Sequence, residues 1–256
     1  MLKLKIGIPH AKHGRITDET LQSVRALGGC DDFAVEVVTQ QGSNVPRARN
    51  AMINGEKSQL VHQKLTGFDF FLCVDADTGF TPDHVRQLLA HDAGIVSGAY
   101  VHKHDASRLV GGWWTKAPGL SLMEDRVPLD RTGVFPVDWA GAGFLLIRRE
   151  VLERTPYPWF TAMEVRFRID GQECAQVVSD DLGFCMKMGA AGETILFDAD
   201  CRVDHVPHPN EHNPATELTD AVNGLLRNRD TIVRHIQALG EENKRLRELL
   251  KREKGE

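Results

Sequence analysis

Residues 2–8 alternate Leu, Lys, Leu, Lys, Ile, Gly, Ile, and a period of two is that of a strand with unlike faces. Leu21, Val24 and Leu27 then follow Thr17 at helical spacing and stop at Gly28-Gly29, which predicts a capped helix with a glycine terminus. FAVEVVT over 33–39 is short and β-branched, hence a second strand. Pro46 opens a helical stretch whose apolar face is Ala48, Met52, Leu60, Val61 and Leu65. FFLCV over 70–74 is almost wholly apolar, as buried central strands of parallel sheets are. Thr81-Pro82-Asp83 combines an N-cap, a proline suited to the first helical position and an acid for the positive helix end. GIVSGAY over 94–100 reads as strand again. Through residue 100 the order is βαβαβαβ, which predicts an α/β domain whose mainly parallel sheet is flanked by helices on both faces.

From 101 to 135 periodicity weakens, and we read a long insertion with short strands around VGGWW. GFLLI over 143–147 is a strand and 148–153 a short helix. Ser179-Asp180-Asp181 begins another helix that ends near Gly189 or Gly192, and 193–198 and 201–206 read as strands. The tail differs in kind. Leu218, Val222, Leu225, Arg229, Ile232, Ile236, Leu239, Asn243, Leu246 and Leu250 alternate spacings of four and three. That is a sustained a/d pattern, and a polar Asn at an a position fixes register in two-stranded coiled coils. The expected organisation is a catalytic-type domain over 1–212 and a long C-terminal coiled-coil helix over 213–256 that joins copies into a homo-oligomer. The other reading of the same stripe is a helix packed back on its own domain.

Composition narrows the class without naming it. The chain has 256 residues and a net charge of -5, so no general attraction to nucleic acid is signalled. From Arg227 to Glu256 nine Lys/Arg face six Asp/Glu, too small an excess to change this. Five scattered cysteines without a CxxC pair predict reduced thiols, neither a disulfide framework nor a zinc ribbon. Such usage suits a cytoplasmic protein. No run approaches the ~18 apolar residues of a membrane span, so no integral membrane segment is expected.

The candidate chemistry begins where the apolar run ends. Asp75-Ala76-Asp77 follows FFLCV, and in open α/β sheets ligands bind beyond the carboxyl ends of strands. On an extended segment residues i and i+2 point the same way, so two like charges would share one side. A hard divalent cation, Mg²⁺ or Mn²⁺, relieves that repulsion and often sits on substrate phosphates. The alternative is two solvated loop acids, or caps for the helix at Thr81. Arg47, Arg49 and Asn50 stand at a helix start, where amides and cations favour phosphate; of these we expect Arg49 and Asn50 to be functional. Asp180 and Asp181 are adjacent, and helical neighbours diverge by about 100°, so one can face a cleft while the other caps. Ala140-Gly141-Ala142-Gly143 lacks a third glycine where a dinucleotide loop would have it, at Leu146. We read close approach of backbone to a ligand there instead.

Four segments together resemble the GT-A-fold glycosyltransferases of the bacterial and viral family-2-like type: VPRARNAMI (45–53), DFFLCVDADTGFTPDHVRQLL (69–89), VDWAGAGFLLIRREVLE (137–153) and VSDDLGFCMKMGAAGETILFDADCRVDHV (178–206). The resemblance covers residues 1 to about 206 and excludes the tail. It implies a GT-A mixed, mainly parallel sheet and transfer of a sugar from a nucleotide-diphosphate donor, a UDP-sugar first and a GDP-sugar second. It implies Mn²⁺ (or Mg²⁺) held by Asp77, Asp75 and His205. It places the donor against Pro9, His10, Arg49, Asn50, Asp75, Ala76, Asp77, Gly141, Ala142 and Gly143. Asp181 becomes the general base of an inverting transfer, with Asp180 beside it; Asp stands where the family often has Glu. Trp139 and Trp113 are candidate acceptor-stacking rings, with Trp114 next to them. His208 and His212 follow His205 in a proline-rich loop read as lying near the donor site. The acceptor is open among a glycan, a small molecule, a protein or a modified DNA base. Two alternatives stand beside this reading. A nucleotidyltransferase acting on a sugar phosphate also pairs acids with metal, but wants a glycine-rich, lysine-bearing loop that IPHAKHGRIT only partly supplies. A non-catalytic sugar-binding or scaffold protein would use its tail as the working part.

Overall fold

A computed structural model describes residues 1–10, 15–42, 44–55, 60–102, 105–114, 125–169 and 172–205. The heptad tail, His208 and His212 lie outside the described residues. In chain order the elements are β1 (Leu2–His10), α1 (Asp18–Gly28), β2 (Phe33–Gln41), α2 (Val45–Asn54), β3 (Phe70–Val74), β4 (Thr78–Gly79), α3 (Pro82–Ala90) and β5 (Ile95–Ala99). There follow β6 (Val101–His102), β7 (Asp105–Trp113), β8 (Asp125–Pro128), β9 (Val134–Val137), β10 (Trp139–Ala140), β11 (Phe144–Arg148) and α4 (Arg149–Arg154). The last are β12 (Met163–Ile169), β13 (Gln172–Val178), α5 (Asp180–Ala190), β14 (Ile195–Arg202) and β15 (Asp204–His205).

The caps act as the sequence predicts. Thr17 accepts the Thr20 amide at the start of α1, and Thr81 forms a reciprocal box with His84 at the start of α3. α2 differs. It begins at the Asn44 cap but ends at Asn54, because Gly55 takes φ 86° and leaves helical space. Leu60 and Val61 are therefore 73% and 57% exposed rather than on a helix face, and Leu65 is buried from non-helical chain.

Seven strands form one sheet in the order β2-β1-β3-β11-β5-β14-β9. β1, β2 and β3 are mutually parallel, β11 is antiparallel to both β3 and β5, and β14 runs parallel to β5 and antiparallel to β9. Five of the seven thus point one way, a mixed and mainly parallel α/β sheet. Alternation divides the core. Phe71, Cys73, Leu145 and Ile147 pack on one face with residues of α2, α4 and α5; Phe70, Leu72, Val74, Phe144 and Leu146 pack on the other with α1 and α3. All five residues of β3 are buried, as a doubly covered central strand requires. The hairpin β12–β13 lies outside the predicted elements, although Met163, Val165, Phe167 and Ile169 alternate there with Glu164, Arg166 and Arg168. The five cysteines are free thiols, three of them buried. Among the described residues no helix is long and apolar enough to cross a membrane.

Candidate active site

β3 lies inside the sheet between β1 and β11, and its end fixes the acids. The Asp75 amide donates to the Gly143 carbonyl (3.0 Å) at the start of β11. The chain then turns instead of extending: the Thr78 amide donates back to the Asp75 carbonyl (3.2 Å), and Ala76 and Asp77 form the turn. The premise that Asp75 and Asp77 share one side of an extended segment is corrected by this turn. Helix α1 grips it from outside. The Thr17 amide donates to the Ala76 carbonyl (2.8 Å), and the buried Thr20 hydroxyl lies 3.1 Å from the Ala76 carbonyl and 3.0 Å from that of Thr78. In the sequence Thr17 signalled only a cap, and Thr20 nothing.

The two acids take different partners. Asp75 accepts from Arg49 NH2 at 3.1 Å, while Arg49 NH1 donates to Asp180 at 2.8 Å. Arg49 is 6% exposed and its guanidinium lies over the Phe160 ring, 5.7 Å from its centroid. Burial opposes its charge, but the neighbouring Asp75 and Asp180 outweigh burial and hold it firmly protonated. Each terminal nitrogen thus gives one of its hydrogens to a carboxylate, so Arg49 links the acids of the turn to the start of α5. Burial pushes the Asp75 carboxyl up; Arg49 counters, and Asp77 and Asp181 push the same way as burial. Asn50 is corrected too. Its Nδ2 donates to the Pro46 and Phe160 carbonyls (2.8 and 2.6 Å), and its Oδ1 accepts the Trp159 and Phe160 amides (3.0 and 3.2 Å). The amide is a clamp between α2 and residues 159–160, with nothing left for a ligand.

The α5 start separates its acids as helical divergence predicts. Asp180 is buried on Arg49. Asp181 is half-buried and bonds locally, accepting from the Leu182 amide (2.9 Å) and the Ser179 hydroxyl.

Asp77 meets His205. Strand β15 pairs with β4, setting His205 opposite Thr78, and His205 Nε2 lies 3.3 Å from Asp77 Oδ1. On the other side of the ring Nδ1 lies 3.1 Å from the Val101 carbonyl. That carbonyl only accepts, so Nδ1 carries a proton, and Nε2 is aimed at a carboxylate that also accepts. The contact resolves in two ways: an imidazolium, or a cation between Nε2 and the carboxylate. The hydrogen bond to Asp77 accordingly raises the His205 pKa, against its burial. A backbone carbonyl on the far nitrogen is also how metal-bound histidines are oriented. Two ligands at right angles, each about 2.1 Å from an ion, stand about 3 Å apart, so the pair fits a divalent ion shared with a substrate. Among the described residues no three His, Cys, Asp or Glu side chains form a group that could hold an ion alone.

Tyr100 completes the cluster and carried no signal in the sequence. Its ring meets His205 edge-on at 5.5 Å, and its hydroxyl accepts the Gly143 amide at 3.0 Å. The glycines at 141 and 143 make room for it. A Cβ on Gly141 would lie 2.2 Å from the Tyr100 hydroxyl, and one on Gly143 would lie 2.8 Å from that hydroxyl and 2.9 Å from Asp75 Oδ2. The close approach read at Gly141-Ala142-Gly143 is therefore to Tyr100 and Asp75; Ala142 is buried. Burial lifts the Tyr100 phenol well above its usual range. Pro9 and His10 end β1 two and three residues past the Gly7↔Cys73 pair, level with Asp75 and Ala76 of the adjacent strand's end, so the same sheet end gathers them. Trp139 is 4% exposed in the core, with its Nε1 donating to the Trp113 carbonyl (3.3 Å), and Trp113 stacks on Phe135. The Trp139 ring is buried in the core, away from any acceptor, whereas Trp113 is half-buried with one face on Phe135. A pocket of about 400 Å³ bordered by Trp114, Asp138, Met186 and Glu193 lies toward the far end of α5, away from the acids.

No protein-family model matches the chain, and no curated protein sequence matches it. Among solved structures it is similar to A197 from STIV, at 15% identity and a TM-score of 0.46, over 83% of this chain and 100% of that one. It is similar to GalNAc-T7, a structure with UDP, GalNAc and Mn²⁺, at 15% identity and a TM-score of 0.46, over 82% of this chain and 44% of that one. It is similar to S. aureus TarS 1-349 in complex with UDP-GlcNAc, at 17% identity and a TM-score of 0.41, over 82% of this chain and 60% of that one. The chain thus spans less than two thirds of the GalNAc-T7 and TarS chains.

Proposed function

We propose that the protein is a divalent-metal-dependent glycosyltransferase. It takes a sugar from a nucleotide-diphosphate donor, a UDP-sugar before a GDP-sugar, and passes it to an acceptor hydroxyl with inversion. The observation that carries this reading is the His205–Asp77 pair at the end of the central strands, in which both ring nitrogens face acceptors, a contact that a bound cation would relieve as well as a proton does. Asp77 and His205 would hold Mn²⁺ (or Mg²⁺), with substrate oxygens filling the remaining positions. The metal supplies positive charge for the departing diphosphate. Asp75, one oxygen on Arg49, adds negative field behind the pair.

The chain's own residues divide the remaining work. Asp75 and Asp180 are paired with Arg49 and Asp77 with His205, which leaves Asp181 as the acid of the cluster outside these pairs. Asp181 takes the acceptor hydroxyl proton as the acceptor oxygen bonds to the anomeric carbon. The bond from that carbon to the diphosphate breaks, and the nucleoside diphosphate leaves with the electron pair. The heptads over 213–256 support the accompanying proposal that copies of the chain join through a coiled coil; light scattering on the full chain and on residues 1–212 tests it, and an equal subunit number refutes it.

Thermal unfolding with UDP- and GDP-sugars, with and without Mn²⁺, tests the activity reading. A donor at a hundred times its Kd stabilises the fold by about 2.7 kcal/mol. Asp77→Ala should lose the Mn²⁺-dependent part of that shift. A variant that keeps the whole shift removes the metal site from the mechanism.

A further inference from the structure

The strand that delivers His205 is interrupted. β14 pairs with β5 residue for residue from Ile195↔Ile95 to Asp198↔Gly98, and the next pair is Arg202↔Ala99. One step on β5 is matched by four on β14, so residues 199–201 leave the ladder. A strand advances about 3.3 Å per residue, so this excursion draws every later residue back by about 10 Å. Three is odd, so it also exchanges their faces. The Val203 amide then returns to the Ala99 carbonyl at 2.9 Å, and His205 falls opposite Thr78. A regular ladder would carry His205 past Asp77 and turn it to the other face.

One carboxylate closes the excursion. Asp198 is 1% exposed. Its Oδ1 accepts the Asp200 and Cys201 amides (3.0 and 3.1 Å), the two donors that leaving the ladder would orphan. Its Oδ2 accepts from Gln87 Nε2 at 3.0 Å and faces His91 Nε2 at 2.7 Å, which tie it to α3 and the segment just after it. Residue 98 opposite must be small: a Cβ on Gly98 would lie 2.6 Å from the Phe144 ring and 3.1 Å from the Cys201 carbonyl.

We propose that Asp198 is a positioning residue for His205: its carboxylate fixes the three-residue excursion in β14 that brings the imidazole to Asp77. Asp198→Asn keeps an oxygen for the two amides, and Gln87 and His91 accommodate the new amide by a flip and a tautomer change. Asp198→Ala leaves both amides without a partner and frees the excursion. The placement concerns the unliganded chain; its effect on metal rests on the function proposed above.

The test uses the full chain, with His205 signals assigned through His205→Ala. In metal-free protein, ¹⁵N-histidine NMR should give the same His205 ring signals in wild type and Asp198→Asn, and signals shifted toward free histidine in Asp198→Ala. With Mn²⁺ and UDP, ¹⁴N electron-spin-echo modulation from a bound imidazole should be present in the first two and lost in the third. Mn²⁺ affinity should fall about 10–100-fold, as when an orienting partner of a ligand is removed. If Asp198→Ala does not fold, Asp198→Ser, which can cap one amide only, is measured the same way and should show a shifted His205. A folded Asp198→Ala or Asp198→Ser with wild-type His205 signals overturns the proposal. Shifted signals in metal-free protein, together with no ¹⁴N modulation in wild type, would sink the metal reading and leave the positioning role standing.

Discussion

Replacing Arg49 with methionine keeps most of the side-chain volume and removes the cation between Asp75 and Asp180. The two arms are unequal. Asp180 retains 11% of its side-chain exposure and Asp75 retains 33%, so solvent screens the Asp75 arm and the loss concentrates on Asp180. Breaking a buried pair from one side costs about 3–5 kcal/mol, because a charge is stranded. For a domain of this size each kcal/mol lowers Tm by about 2–4 °C, so the expected drop is about 6–20 °C. The pH dependence carries the sign. Burial already raises the Asp75 pKa and Arg49 counters it; without Arg49 the carboxyl rises further. A carboxyl whose folded pKa exceeds its unfolded value binds more protons folded than unfolded, so stability falls as pH rises through that window. Arg49→Met should therefore regain part of its lost stability on acidification from neutral pH, relative to wild type. Urea unfolding between pH 5 and 8 reads both effects. Asp180→Asn in the Arg49→Met background should recover about 0.5–3 kcal/mol of coupling. A single mutant within about 1 kcal/mol of wild type, with an unchanged pH slope, would refute the stranded-charge argument.

Asn50→Ala strands three buried backbone groups at residues 159–160 and should lower stability by about 3 kcal/mol; donor Kd, measured on the folded fraction by calorimetry, should stay near wild type because the amide touches no ligand. Asp181→Asn should lower kcat by about 10²–10⁴-fold, the usual range for a lost general base, with donor-induced thermal stabilisation intact; a small loss of kcat would move the base elsewhere.

What the sequence made legible was local. The strand β3 shows itself as five apolar residues, and α1, α2 and α3 announce their starts with Thr17, Asn44-Val45-Pro46 and Thr81-Pro82. DAD, Arg49, Asp180 and His205 all stand out in the sequence as candidates, and the fold brings them together. What they do to one another was not legible. Arg49 and Asp180 are 131 positions apart, and nothing nearby tells that the guanidinium bridges two acids. Tyr100 sits in an ordinary apolar run, and its place beside His205 follows from the ladder between β6 and β7 and the glycines of another segment. The extension of α2 past Gly55 failed because apolar spacing alone cannot see a left-handed residue. The excursion in β14 shows in the sequence only as the break between the strands predicted over 193–198 and 201–206; that Asp198 caps it was not legible, because two of its partners, Gln87 and His91, lie more than 100 positions away.

The position of β11 has a consequence for synthesis. β3 and β5 are complete by residue 99, yet the strand between them begins at Phe144. Until it emerges, a nascent chain carries FFLCV and IVSGA as two adjacent apolar edges with unpaired backbone on their facing sides, the kind of surface that recruits foreign strands. Insertion of Phe144–Arg148 then joins β3 to β5 and, through the Gly143 carbonyl, seats the Asp75 amide as well. The gap between β5 and β9 stays open until β14 emerges at Ile195–Arg202, and His205 follows it, so a ribosome-bound chain that stops short of residue 205 has neither a sealed sheet nor a complete site.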